Sequence, residues 1–274
     1  MKKKIFGIIG HPIAHSLSPT LHNYWYKKYK IDAEYILIDI KESEIKDVID
    51  KIRNEELNGI NITLPFKQKI IPYIDQLVND AKKTNSVNTV FLNENNSVVG
   101  ENTDVFGLQA AYFKEITQIH NKKALVIGAG GVSPSVIFSL SKSKLRNITI
   151  VNRTHEKSIF LKKKFNFLNI IKWEDLKDEI KNFDIIINAT SLGLKNGNDF
   201  EFNFHSDNDN LIYIDTIYNP LETKTLKILK DSNKKTFNGL EMFMYQGQKS
   251  FYIWNKINPE IDDKLIDLLV SKLK

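Results

Sequence analysis

Cysteine is absent from this chain of 274 residues, so disulfide bonds, thiolate metal ligands and a cysteine nucleophile are excluded. The absence fits a reducing compartment, and we expect a cytoplasmic protein. A zinc-protease motif begins at His155 and Glu156, but Ile159 stands where the second histidine is required. No metal site is therefore expected.

Long hydrophobic runs are also missing, since none reaches the roughly 18 residues that a membrane-spanning helix needs. The apolar stretch 5–10, which follows three lysines, is too short for a signal peptide and predicts a first buried strand. The 39 basic and 33 acidic residues give a net charge of +6, which suits a small anionic substrate as well as nucleic acid. We find no basic stripe with interleaved aromatic residues, which nucleic-acid binding would require.

The composition is that of an ordinary globular protein, with 42% hydrophobic and 26% charged residues. Strand-like and helix-like segments alternate, which is typical of an α/β protein with parallel sheets. Nine apolar segments predict strands: 5–9, 35–40, 59–64, 87–92, 97–100, 123–127, 147–151, 184–188 and 211–215. The alternation of strands and helices begins again after Asp104, which predicts one domain at 1–104 and another at 105–238. Two amphipathic helices, at about 240–256 and 259–273, end the chain.

The most informative motif is a glycine-rich loop, Gly128-Ala129-Gly130-Gly131, between a predicted strand and a predicted helix. Glycines there let backbone N–H groups approach a pyrophosphate, whose charge is favoured by the helix N-terminus. Ser133 replaces the third glycine of the usual fingerprint, so the context carries more weight than the motif. The pattern predicts a Rossmann-type dinucleotide site, with an unoccupied tight turn as the alternative.

The next strand indicates which dinucleotide binds. A site for NAD usually ends this strand in Asp or Glu, which takes the ribose 2′-hydroxyl. Here the strand ends in Asn152-Arg153-Thr154, and Lys157 follows one turn later. A guanidinium clasps a 2′-phosphate through paired hydrogen bonds, so the sequence favours NADP over NAD.

Two hydroxyl residues, Ser16 and Ser18, follow the first predicted strand, and Pro19 suits the first turn of a helix. Together with helix N–H groups they could seat a carboxylate at the carboxyl end of that strand. The simpler interpretation is helix capping, which would explain Ser18 as the N-cap residue but not Ser16.

Lys67 and Asp104 each follow a predicted strand and precede a helix, so they could meet in one cleft. Such a pair can carry a proton to or from a substrate oxygen. Spacing alone does not show that they meet, and a solvated lysine is the default. Another pair, Tyr24 and Lys28, matches the Tyr-x-x-x-Lys of short-chain dehydrogenases but precedes the glycine loop, so we dismiss it.

These motifs together resemble the shikimate dehydrogenase family over nearly the whole chain and in the family's order. The segments that carry the resemblance are 10–19, 61–67, 87–89, 102–104, 128–131, 152–154, 187–191, 215–218 and 238–242, followed by Gln246. The resemblance implies an open α/β substrate domain, a Rossmann-type NADP-binding domain, and C-terminal helices (239–274) that pack back on the first domain. It also implies NADP-dependent reduction of 3-dehydroshikimate to shikimate, a step of aromatic amino-acid biosynthesis.

The resemblance also implies roles for individual residues. Ser16 and Ser18 would hold the substrate carboxylate, and Lys67 and Asp104 would form the catalytic pair. The residues expected around the ring hydroxyls are Thr63, Asn88, Tyr218 and Gln246. The residues expected to hold NADP are Gly128, Ala129, Gly130, Gly131, Asn152, Arg153, Thr154, Lys157, Thr190 and Gly239.

Two alternatives stay open on sequence grounds. An NAD-using quinate/shikimate dehydrogenase would share the fold, although Arg153 argues against NAD. A non-catalytic NADPH-binding sensor would need no proton pair, so the presence of both Lys67 and Asp104 argues against it. A homodimer is compatible with the sequence, which does not determine the oligomeric state and leaves the loop 193–205 unassigned.

Overall fold

The computed structural model describes residues 3–145, 147–204 and 206–273 and divides into two compact units. The first unit consists of Met1–Gly107 and Met244–Lys274, and the second of Leu108–Phe243. The α/β fold class predicted from the alternating segments is confirmed, although only the second of the two sheets is entirely parallel.

Twelve strands are found in the described ranges: β1 (Lys4–Gly10), β2 (Ala33–Asp39), β3 (Gly59–Ile62), β4 (Gln76–Leu77), β5 (Thr89–Leu92), β6 (Val98–Glu101), β7 (Lys123–Ile127), β8 (Asn147–Val151), β9 (Asn169–Ile170), β10 (Ile185–Asn188), β11 (Ile212–Asp215) and β12 (Lys235–Phe237). All nine predicted strands are confirmed to within a few residues. The three that were not predicted, β4, β9 and β12, lie at sheet edges and contain two or three residues each. Strands that short carry too few residues for an alternating apolar pattern.

The α-helices in the same ranges are α1 (Ser18–Lys28), α2 (Ile45–Arg53), α3 (Asn79–Thr84), α4 (Asp104–Leu108), α5 (Ser133–Lys142), α6 (His155–Lys164), α7 (Leu176–Glu179), α8 (Lys224–Asp231), α9 (Leu240–Asn255) and α10 (Asp263–Ser271). A π-helical turn, Gln109–Phe113, continues α4. The two C-terminal helices predicted from amphipathic spacing are confirmed as α9 and α10. None of the described helices is long and apolar enough to cross a membrane.

The first sheet has the strand order β2-β1-β3-β5-β6-β4 and is mixed. β1 is parallel to β2 and β3, whereas β5 is antiparallel to both β3 and β6 and forms a hairpin with β6. On α2, Ile45, Val48, Ile49 and Ile52 recur at helical spacing, and all four are buried in the core of this unit.

The second sheet is entirely parallel and has the order β9-β8-β7-β10-β11-β12. This is the 3-2-1-4-5-6 order of the dinucleotide-binding fold, whose strand order reverses between its first and fourth strands. Here that reversal lies between β7 and β10. Ligands bind outside the carboxyl ends of strands at such a reversal, so the glycine loop after β7 lies at the expected place.

The loop that the sequence left unassigned is anchored by aromatic side chains. Phe200, Phe202 and Phe204 form ring contacts with centroids 4.8 to 5.8 Å apart, and Phe204 also contacts Tyr213 of β11 at 5.5 Å. Phe200 and Phe204 are buried in the core of the second unit. The phenylalanines, which alternate with polar residues, therefore fix this part of the loop against the core of the second unit. His205 lies outside the described residues.

A buried histidine lies at the centre of an aromatic cluster in the first unit. The His22 ring stacks on Tyr35 at 4.3 Å with an interplanar angle of 4°, and it also contacts Trp25 and Trp254. Within the described residues, neither ring nitrogen of His22 has a hydrogen-bond partner. Burial lowers the pKa of His22 from 6.5 to about 3, so the folded protein holds this ring neutral.

The buried histidine predicts a loss of stability in acid. In the unfolded chain His22 takes a proton below about pH 6.5, but in the folded chain only near pH 3. Stability from this group is therefore complete above pH 6.5 and is lost as the pH falls toward 3. Replacing His22 by Phe should make the decrease in the free energy of unfolding between pH 7.5 and 5.0 smaller by about 2 kcal/mol.

Urea unfolding at the two pH values measures this difference. His120→Asn is the matched control, because His120 is exposed and should leave the decrease as in the wild type. Equal pH dependence of the wild type and His22→Phe would contradict the prediction.

Candidate active site

The topology of the first sheet brings three chain segments to one edge. Because β5 is antiparallel to its neighbours, its first residue, Thr89, pairs with Asn61 of β3 and with Glu101 at the end of β6. Asn88, just before β5, therefore lies beside the residues that follow β3 and β6. These are the segments that carry Lys67 and Asp104.

Lys67 and Asp104 meet, as the sequence allowed but did not show. Lys67 Nζ donates to Asp104 Oδ2 at 2.6 Å, and the two side chains are 12% and 4% exposed. The backbone also holds the lysine loop, since Val87 N–H donates to Lys67 O at 2.8 Å. An ion pair this short and this buried is a candidate for proton transfer rather than a solvated surface contact.

The side chain of Asn88 connects this pair to its surroundings. Thr103 N–H donates to Asn88 Oδ1 at 2.7 Å, which fixes the amide oxygen on that side. The amide nitrogen must then point the other way, where it donates to Asp104 Oδ1 at 2.8 Å and approaches Gln246 Oε1 at 3.4 Å. Lys67, Asn88, Asp104 and Gln246 are thus brought into one network.

Ser16 and Ser18 lie together at the start of α1, but the prediction that Ser18 is the N-cap residue is wrong. The helix begins at Ser18, and Leu17 holds the N-cap position without a side-chain hydrogen bond. Ser16 Oγ instead accepts from Ser18 N–H at 3.3 Å and lies 3.2 Å from Ser18 Oγ. Pro19 stands in the first turn as predicted. The two hydroxyls therefore face each other beside a helix N-terminus, which suits an anion.

Thr63 and Tyr218 are each held by contacts within their own unit. Thr63 follows β3, and its N–H donates to Ile9 O at 2.9 Å. Tyr218 follows β11 and belongs to the second unit, where its ring packs against Phe243 with centroids 4.7 Å apart.

The glycine loop of the second unit requires glycine at one position in particular. Gly128 has a φ of +109°, and a Cβ there would lie 2.7 Å from Thr190 Cγ2 and 2.8 Å from Ala189 O. The N–H groups of Gly128 and Gly130 donate to Val151 O (2.8 Å) and Ser133 Oγ (3.0 Å). These contacts fix the loop between β8 and the loop after β10.

The residues after β8 have two roles: Asn152 supports the glycine loop, and two cationic side chains are exposed. Asn152 Oδ1 accepts from Ala129 N–H at 2.9 Å, and its Nδ2 donates to Thr154 O at 2.8 Å. Arg153 and Lys157 are exposed next to this brace. Asn152 therefore shapes the glycine loop, while the cations are free to reach an anion in solvent.

A buried carboxylate organises the loops after β10 and β11. Asp215 accepts hydrogen bonds from Asn188 Nδ2 (3.1 Å), Ile217 N–H (3.1 Å) and Thr223 Oγ1 (2.9 Å). Burial raises the pKa of Asp215 to about 7, with these donors partly opposing the shift. Asn188 Oδ1 in turn accepts from Thr190 Oγ1 at 2.7 Å, so the position of Thr190 follows from that of Asp215.

Gly239 allows a close approach in the same region. Its N–H donates to Ile217 O at 2.8 Å, and a Cβ there would clash with Thr216 O. Any side chain at this position would push the loop after β11 away, so Gly239 shapes the loop that leads to Tyr218.

Sequence reasoning missed the residues that support the network in the first unit. They are buried polar side chains: Asn61, Thr89, Thr103 and Ser250. Ser250 lies one helical turn after Gln246 on α9, and that spacing is the signal that could have identified it. Within the described ranges, no group of three or more His, Asp or Glu side chains is arranged to hold a metal ion.

The glycine loop yields a stability prediction. Gly128→Ala should lower the free energy of unfolding by about 2 kcal/mol or more, because the backbone is left-handed there and Thr190 and Ala189 leave no room. Urea denaturation of the protein without cofactor measures this loss. Gly130→Ala is the matched control, since its Cβ would meet nothing nearer than Ala189 O at 3.9 Å. Equal losses in the two variants would show that crowding at Gly128 is not the cause.

Two family models match successive parts of the chain. Residues 8–90 match the family model of the shikimate dehydrogenase substrate binding domain, and residues 111–216 match that of shikimate/quinate 5-dehydrogenase. The shikimate dehydrogenase (NADP(+)) of Pelagibacter ubique is 48% identical over 267 residues, which cover 97% of this chain and 99% of that protein. The protein of the same name from Methanococcus aeolicus is 40% identical and covers 98% of this chain and 99% of its own length.

Solved structures give the same result. A crystal structure of a shikimate dehydrogenase in complex with NADP+ has a TM-score of 0.90 at 34% identity, covering 99% of this chain and 96% of the other. The Thermus thermophilus enzyme with NADP(H) and shikimate has a TM-score of 0.86 at 27% identity, covering 98% and 100%. The Listeria monocytogenes enzyme with shikimate and NAD has a TM-score of 0.85 at 30% identity, covering 97% and 96%. The match in sequence and in fold extends over both units, and the chain belongs to the shikimate dehydrogenase family.

Proposed function

We propose that the chain catalyses the reversible reduction of 3-dehydroshikimate to shikimate with NADPH. The observation that carries the proposal is the buried Lys67–Asp104 ion pair with Asn88, within the unit that contains the match to the substrate binding domain. The names of the relatives supply the substrate and the cofactor. The pair supplies the chemistry that this reaction requires of the protein.

NADPH, when bound, supplies a hydride to the carbon of the C3 carbonyl, and the carbonyl oxygen must then gain a proton. Lys67 carries three N–H donors, of which one is engaged by Asp104. Both oxygens of Asp104 already accept hydrogen bonds, from Lys67 and Asn88. Lys67 is therefore the member of the pair that delivers the proton to the substrate oxygen, and Asp104 holds its ammonium in place.

The other substrate groups are assigned to the remaining polar residues. Ser16 and Ser18, beside the N-terminus of α1, hold the carboxylate, because paired hydroxyls and a helix N-terminus both favour an anion. The residues assigned to the ring hydroxyls are Thr63, Asn88, Tyr218 and Gln246. Apart from Tyr218, substrate binding and proton transfer are thereby assigned to 1–104 with 239–274.

The second unit fits NADP, and we assign residues 105–238 as the NADP-binding domain. Gly130 is exposed in the loop after β7, and α5 begins at Ser133 with Pro134 in its first turn. Arg153, Thr154 and Lys157 are exposed at the end of β8, where a 2′-phosphate requires cations. The residues assigned to the rest of the cofactor are Ala129, Gly131, Asn152, Thr190 and Gly239.

The proposal is tested by following NADPH absorbance with shikimate and NADP, and in parallel with NAD and with quinate. We expect fast turnover with shikimate and NADP, because Arg153 and Lys157 attract the 2′-phosphate that NAD lacks. Turnover with NAD and quinate at a higher kcat/KM would instead support the NAD-using quinate/shikimate enzyme. Folded protein that binds NADPH but shows no turnover with either substrate would support the sensor.

Removing the proton donor should abolish most of the activity. Lys67→Ala should lower kcat by about 10²- to 10⁴-fold and leave the Kd for NADP unchanged, because the lysine acts on the substrate oxygen. Lys69→Ala is the matched control: Lys69 is exposed two residues later and pairs with Glu42, so kcat should stay normal. A normal kcat for Lys67→Ala would remove Lys67 from the mechanism.

Localisation in the cytoplasm and assembly as a homodimer stay predictions from the sequence. The names of the relatives concern the reaction and its cofactor.

A further inference from the structure

A serine outside the assigned site lies at the centre of the polar network. Ser250, on α9, is fully buried, and its Oγ lies 2.8 Å from Thr89 Oγ1 and 3.1 Å from Thr103 Oγ1. It also accepts from Asn61 Nδ2 at 3.0 Å and donates to Gln246 O at 3.0 Å. One hydroxyl therefore contacts β3, β5, the segment after β6 and its own helix. We call Thr89, Thr103 and Ser250 the hydroxyl cluster.

The donors and acceptors of the hydroxyl cluster allow few arrangements. A serine hydroxyl donates once and accepts twice. When Ser250 donates to Gln246 O, it can accept from Asn61 Nδ2 and from one threonine hydroxyl. Thr103 Oγ1 itself accepts from Asn88 Nδ2 at 2.9 Å. Buried groups arranged in this way gain their hydrogen bonds only while α9 keeps its position against β5.

We propose that Ser250 is a positioning residue for the reaction: it holds α9 against Thr89 and Thr103. It thereby keeps the Asn88 amide, whose oxygen is fixed by Thr103 N–H, in its contacts with Asp104 and Gln246. The inference rests on the proposed function, because it concerns the same site. It adds a residue that acts through Asn88 and has no assigned contact with substrate or cofactor.

Loss of the Ser250 hydroxyl has a specific consequence. Thr89 Oγ1 and Thr103 Oγ1 each lie 3.1 Å from Asn88 Oδ1, so both have an alternative acceptor in Asn88. Without the Ser250 hydroxyl, both threonine hydroxyls donate to Asn88 Oδ1. The Asn88 amide, which also donates to Asp104, then makes a different set of hydrogen bonds. Gln246 lies one turn before Ser250 on the same helix, and its contact with the Asn88 amide is lost at the same time.

The test is a double-mutant cycle in the shikimate and NADP assay, run after the wild type has been shown to turn over shikimate. Ser250→Ala should lower kcat about tenfold and raise the KM for shikimate, with the KM for NADP unchanged. In the Asn88→Ala background the same change should lower kcat no further, because Ser250 acts through Asn88. Ser271→Ala is the matched control, since Ser271 also donates to a helix carbonyl, Leu268 O, but is exposed.

Thermal unfolding of each variant separates positioning from loss of the fold. If Ser250→Ala does not fold, Thr89→Val removes the neighbouring hydroxyl at constant volume, and the same lack of additivity with Asn88→Ala is expected. Two results would overturn the inference: kcat within twofold of the wild type, or an equal loss of kcat in both backgrounds. A wild type with no shikimate turnover would instead be a failure of the proposed function.

Discussion

The site depends on one backbone hydrogen bond, from Thr103 N–H to Asn88 Oδ1 at 2.7 Å. A carboxamide has two ends that differ only in hydrogen bonding, and this donor decides which end faces the N–H. The nitrogen is then directed toward Asp104 Oδ1, and Asp104 Oδ2 receives Lys67. The orientation of the buried Lys67–Asp104 ion pair thus follows from the position of a peptide group just after β6.

That peptide group lies beside Asn88 because β5 is antiparallel to its neighbours β3 and β6. In a fully parallel sheet the residue before a strand and the residues after its neighbours lie at opposite edges. The reversal of β5 brings Asn88, which precedes it, to the edge where β3 and β6 end. In the second sheet all strands run parallel, and its polar residues follow its strands: Asn152 after β8, Thr190 after β10 and Tyr218 after β11.

Much of this could be predicted from the sequence, because the strands of three residues or more inside each sheet are strongly apolar and the motifs lie at their ends. The glycine loop and the candidate pair Lys67 and Asp104 could be named for that reason. Their contact could not be predicted, since it depends on the register of β5 with β3. The helix begins at Ser18, one residue earlier than predicted, and Ser16 rather than Ser18 supplies the hydroxyl that accepts a backbone N–H there. Ser250 was missed because its role depends on which face of α9 meets the sheet.

The polar network and the aromatic cluster of the first unit share a side chain. Tyr35 stacks on His22 at 4.3 Å and donates its hydroxyl to Asn61 Oδ1 at 2.7 Å. That bond sets the Asn61 amide, whose nitrogen then faces Ser250 and Asn88 O. A charge on His22 would have to be accommodated against the ring that begins this chain of hydrogen bonds. Because burial keeps His22 neutral, no charge is placed against the Tyr35 ring, and the Tyr35–Asn61 hydrogen bond joins the aromatic cluster to the polar network.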